Sequence, residues 1–126
     1  MKTLHLTLKK RWFDLIQSGD KLEEYRELNM FWAKRLCFKI PMATGGFLTP
    51  INSVLLQEDY SAWRKFTGGA PVFNEYTHVL FANGGHFGDV PKIILECKGI
   101  EVREGRPEWG AEPGKKYFVI KLGEKI

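Results

Sequence analysis

The stretch Ser18-Gly19-Asp20-Lys21-Leu22-Glu23-Glu24-Tyr25-Arg26-Glu27 decides how the chain is read. It closes a run of helical period, opens one of period two, and carries the spacing Gly-x-Lys-x-x-Glu-x-Arg. Gly19 stands where a helix end takes a left-handed residue, usually glycine. From Leu22 onward, the alternation of a strand places Leu22, Glu24 and Arg26 on one face. Lys21, Glu23 and Tyr25 then fall on the other. Lys21 reaches the Glu24 face only if the first residues form a turn or bulge outside the ladder. A carboxylate and a guanidinium on an inward face are costly unless paired or open to a cleft. Two readings follow. Either an ion pair closes one end of a barrel, or a polar cleft lets Lys21 and Arg26 meet a phosphate or base while Glu24 orients them.

On the amino-terminal side, residues 2–8 alternate, with Leu4, Leu6 and Leu8 on one face and Thr3, His5 and Thr7 on the other. That pattern predicts a half-buried strand. Residues 10–18 change to helical period, with Trp12, Leu15 and Ile16 on one face and Phe13 alongside. Lys9 falls at the junction, placed to contact a phosphate. On the other side, Asn29 can cap a short helix through Leu36. Its Trp32 is read as core.

With these residues in place, the chain resembles the ASCH domains, small members of the PUA-like β-barrel group associated with RNA. The motif at 19–26, the upstream Leu4-His5-Leu6-Thr7-Leu8-Lys9 and the helix with Trp12 and Ile16 carry the resemblance. It spans residues 3–36 and, more weakly, 76–122, and leaves out 40–75. It implies a PUA-like small mixed β-barrel with its cleft beside the motif. It also implies RNA or nucleotide binding, with Lys21 and Arg26 as cationic contacts and Glu24 as acceptor. Some proteins similar to ASCH domains hydrolyse an acetylated cytidine amide, using the motif lysine, a threonine and a distant glutamate. The threonine position is Glu24 here, and a carboxylate does not replace a hydroxyl nucleophile. Another branch resembles a metal-independent ribonuclease, for which Lys21 and Tyr25 suit in kind. Lys21 and Glu24 would be the catalytic pair of a hydrolase if burial shifts their pKa values. The third reading is a protein-interaction module whose motif is structural.

The rest of the chain fits a single domain over 1–126, large enough for its own core. Residues 40–75 are broken by Pro41, Gly45, Gly46, Pro50, Gly68, Gly69 and Pro71. They read as an irregular insertion, with a helix possible over Glu58 to Phe66 and a lid or binding loop as its use. Residues 76–83 read as a strand and end in the glycine-rich turn 83–89, whose His86 is a loop histidine able to meet a ligand. Residues 92–102 form a long strand with Gly99 as a bulge. The loop 103–115 carries Trp109, read as a plug on the barrel end or a platform for a base. Residues 117–122 alternate as the strand that closes the sheet. Five or more strands, two amino-terminal helices and no repeating β-α crossover give an α+β class or small mixed barrel.

The composition is 44% apolar and 13% aromatic, which excludes a disordered chain. No run reaches the roughly 18 apolar residues of a membrane span. Met1-Lys2-Thr3 leads into the first strand without an apolar signal segment. Cys37 and Cys97 stand apart and read as reduced thiols of a cytoplasmic protein. His5, His78 and His86 lack ligand spacing, so neither metal nor cofactor is expected. Net charge is +4, and basic groups such as Lys9-Lys10-Arg11 and Lys34-Arg35 sit beside aromatic rings. That interleaving suits single-stranded nucleic acid.

Overall fold

A computed structural model of the chain describes residues 2–41, 45–48, 71–84 and 89–126. The amino-terminal strand is β1 (Thr3–Leu8), followed by α1 (Lys10–Ser18) and β2 (Glu23–Arg26). Next come α2 (Met30–Leu36), β3 (Cys37–Pro41), β4 (Phe47–Leu48) and β5 (Val72–Phe73). The chain ends with β6 (His78–Asn83), β7 (Lys92–Glu104), a 3-10 turn (Pro107–Trp109) and β8 (Lys116–Lys125).

Five strands form one curled sheet in the order β1-β6-β7-β8-β2, a half-barrel. The β1–β6 pair is parallel and the other three are antiparallel. Strands β4, β3 and β5 make a small separate sheet. The class is mixed α+β, as the sequence predicts, with two α-helices among the described residues.

Each local element has a readable cause. The leucines of β1 all point inward and are buried. Helix α1 stops at Gly19, whose φ of +85° lies in the left-handed region and whose N–H bonds the Ile16 carbonyl. The Asn29 side chain accepts from the Trp32 N–H at 3.1 Å, the expected cap of α2. In β7 the register slips between Leu95 and Gly99, and Gly99 takes a φ of +126°. That bend lets one long strand follow the curl.

Three expectations change. Helix α1 buries Phe13 and Ile16, while Trp12 is only half-buried because it turns toward the motif. β7 runs on to Glu104, so the connection to β8 is shorter than the sequence suggests. In β8, Tyr117, Phe118, Val119 and Ile120 are all buried. Phe118 and Ile120 enter the main core, while Tyr117 and Val119 join Ala111 and Tyr25 in a second, smaller one. A strand covered on both faces reads as a continuous apolar run. The helix read over Glu58 to Phe66 and the histidine at 86 lie outside the described residues.

Candidate functional site

The backbone explains why the alternation fails at the start of the motif. The N–H groups of Asp20 and Lys21 both bond the Leu15 carbonyl, so these residues belong to the helix-end turn. The ladder starts at Glu23, paired opposite Lys121. Leu22 is consequently exposed and Lys21 buried, the reverse of strict alternation from Leu22. Lys21 thereby reaches the Glu24 side.

Lys21, Glu24 and Arg26 form one cluster. Lys21 Nζ donates to Glu24 Oε1 at 2.8 Å and to the Glu23 carbonyl at 2.7 Å. Its ammonium lies 5.4 Å from the Trp12 ring centroid and 5.2 Å from that of Tyr25, within cation–π range of both. Arg26 Nη2 donates to Glu24 Oε2 at 2.6 Å and to the Thr7 carbonyl at 3.0 Å. Both carboxylate oxygens thus hold a cation. Lys21 is 1% exposed, whereas the Arg26 side chain keeps 16% of its surface open. The guanidinium carbon sits 4.7 Å from the Trp32 ring centroid. Arg26 Nε is buried and has no hydrogen-bond partner among the described residues.

Above the cluster lies a cleft of about 710 Å³. Glu24 and Arg26 form its floor, and the indoles of Trp12, Trp32 and Trp109 border it with the Tyr25 ring. Lys9 stands at its rim beside α1. Trp109 is fixed by its Nε1–H, which donates to the Asp20 carbonyl at 2.8 Å, and Arg106 stacks on its ring at 4.8 Å. Trp109 is therefore tethered to the motif turn and half-open to the cleft. Lys21 supports the floor from below instead of facing the opening.

The opposite side of β2 carries a separate polar array. Tyr25 Oη donates to Glu23 Oε1 at 2.7 Å and accepts the Arg106 N–H at 2.9 Å. Burial, with the Glu23 carboxylate beside it, pushes this phenol up to about 12. Tyr25 therefore offers the cleft a ring, with its hydroxyl already committed. Arg103 pairs with both Glu23 and Glu101. Burial alone would raise the Glu23 pKa. The hydrogen bonds from Arg103 and Tyr25 and the Arg103 charge outweigh it and hold Glu23 below the usual carboxylate range.

The sign of that shift fixes a pH dependence. A carboxylate depressed on folding stabilises the protein above its unfolded value and loses that contribution as pH falls through the folded value. The urea midpoint should drop as pH is lowered below about 4.5, and Glu23→Gln should flatten that limb. An equally steep acid limb in Glu23→Gln would show that the Arg103 pair contributes nothing.

The sequence passed over several residues of the cleft. The sequence reads Trp32 as core because helical aromatics usually bury, and sets Trp12 on one helix face with Leu15 and Ile16. The interleaving of these rings with Arg11, Lys34 and Arg35 is the signal in the sequence for a place at a site, but it does not say which ring lines a cleft. Glu112 also lines the cleft, positioned by the loop that Tyr117 Oη holds through the Glu112 N–H at 3.0 Å. No sequence pattern marks it. Among the described residues no group of three or more metal-ligating side chains comes together, and no helix is long and apolar enough to cross a membrane. Comparison of the chain with family models, with curated proteins and with solved structures returns no match in any of the three.

Proposed function

We propose that this is an ASCH-like, PUA-like domain that binds RNA or a nucleotide in the cleft beside the motif. The observation that carries the reading is the Arg26 guanidinium. It is oriented by Glu24 and Thr7, stacked on Trp32 and partly open, while its buried Nε has no hydrogen-bond partner among the described residues. A planar cation so held presents its remaining donors to a phosphate or base edge with little further ordering. The surrounding indoles supply π-faces on which unstacked bases rest, a contact worth about 1–3 kcal/mol per base. Lys9 adds charge at the rim, and Lys21 acts through Glu24.

Fluorescence anisotropy with a labelled single-stranded oligoribonucleotide tests this. Affinity should fall as salt rises. Lys9→Ala, an exposed change, should reduce the magnitude of the salt slope by about one. Arg26→Ala should weaken binding about ten-fold, the loss of one charge-assisted contact. Circular dichroism checks that each variant is folded. A folded protein that binds neither an oligonucleotide nor a mononucleotide, or whose binding is independent of salt, refutes the reading. Shortening of the RNA on a gel, lost in Lys21→Met with the fold intact, would move the site to a hydrolase.

A further inference from the structure

Arg26 and Trp32 have a second hollow on their far side. It has a volume of about 340 Å³ and shares Thr7, Arg26 and Trp32 with the first cleft, so the two adjoin across these side chains. Phe31, Arg35 and Lys92 help to line it. Helix α2 supplies Phe31, Trp32 and Arg35 to its wall. The Arg35 guanidinium lies 4.4 Å from the Phe31 ring centroid and 5.6 Å from that of Trp32, and the two rings meet edge-on at 4.9 Å.

The two hollows differ in charge. Glu24, Glu27 and Glu112 line the first. None of the described residues lining the second is acidic, while Arg26, Arg35 and Lys92 all contribute to it. An anion placed in the first would meet carboxylates, whereas among the described residues of the second it meets cations and neutral groups. The first hollow instead suits a flat, neutral group with N–H donors, since it offers indole faces and carboxylate acceptors. Arg26, reaching both, sits at the junction.

Resting on the proposed nucleotide reading, we infer that the site is bipartite. A nucleobase lies in the first hollow, and the phosphate attached to its nucleoside lies in the second, gripped by Arg35 and Arg26. The recognised unit is then a nucleotide, free or within a strand, and not a nucleoside. Arg35 is pre-oriented by its stacking, which limits the ordering cost when it takes the phosphate.

Isothermal titration of the purified protein with the four ribonucleosides, their 5′- and 3′-monophosphates and short oligoribonucleotides decides this. At least one monophosphate or oligonucleotide should bind about ten-fold more tightly than the matching nucleoside. Arg35→Ala should erase that gain and leave nucleoside affinity unchanged, because the Arg35 side chain is exposed, lines the second hollow and not the first, and stacks on ring faces. An oligonucleotide tighter than the best monophosphate assigns a strand as the source, and equal affinities assign a free nucleotide. The inference is overturned, with the cleft reading intact, if nucleosides bind as well as nucleotides or if Arg35→Ala weakens both alike. If the folded protein binds none of these probes, the cleft reading fails and this one with it.

Discussion

Glu24→Ala should lower the free energy of unfolding by about 3–5 kcal/mol, the cost of removing one partner from a buried ion cluster. The reason is geometric. Each oxygen of Glu24 satisfies a different cation, and Lys21 has almost no route to water. Truncation leaves the ammonium with one backbone carbonyl and two ring faces. It also frees Arg26 from the contact that aims it. Urea denaturation measures the loss. The pair Lys21→Met and Glu24→Ala should be strongly non-additive, since removing the lysine removes the charge that the alanine variant strands. A loss below about 1 kcal/mol, the range of exposed pairs, would mean that water replaces the carboxylate and the cluster is no buried unit.

Gly105→Ala should cost about 2 kcal/mol, within the usual range for overpacking. A methyl group there would stand 2.6 Å from the Tyr25 ring and 2.8 Å from the Ala111 Cβ. A free tyrosine could swing aside. This one is held at its hydroxyl by Glu23 and the Arg106 N–H, and its ring leans on Tyr117 at 5.7 Å. The clash should therefore spread into the cleft wall. In a Tyr25→Leu background the same substitution should cost much less, and an equal cost in both would place the strain elsewhere.

Local signals in the chain were legible because they act over a few residues. The leucine alternation of β1, the glycine stop of α1, the asparagine cap of α2 and the glycine bend of β7 each depend on neighbours in sequence. Their structures follow the expectation. The motif was legible as a cluster but not as a layered one. Whether Lys21 faces the opening depends on where the ladder begins, and the Leu15 carbonyl decides that from the preceding helix. Arg103 and Glu23 meet across 80 positions, and nothing local announces the pair. β3 was missed because Pro41 and Gly45 read as punctuation, whereas its backbone pairs with β4 and β5. Trp32 and Arg35 were legible as a helical aromatic beside a basic residue. Their exposure is set by the curl of a sheet that sequence spacing does not encode.

The strand order has a consequence for how the molecule comes into being. Among the described strands, β2 is joined only to β8, although it is synthesised among the first elements and β8 last. Until that final ribbon emerges, the segment bearing the lysine–glutamate–arginine trio has no rail to dock on. The Arg26 latch onto Thr7, which spans the open seam between the two outer edges, has nothing to pull shut. Joining parts so remote along the chain is entropically slow. The cleft beside that trio thus takes its full shape only once β8 has paired with β2 and brought Tyr117 to its wall.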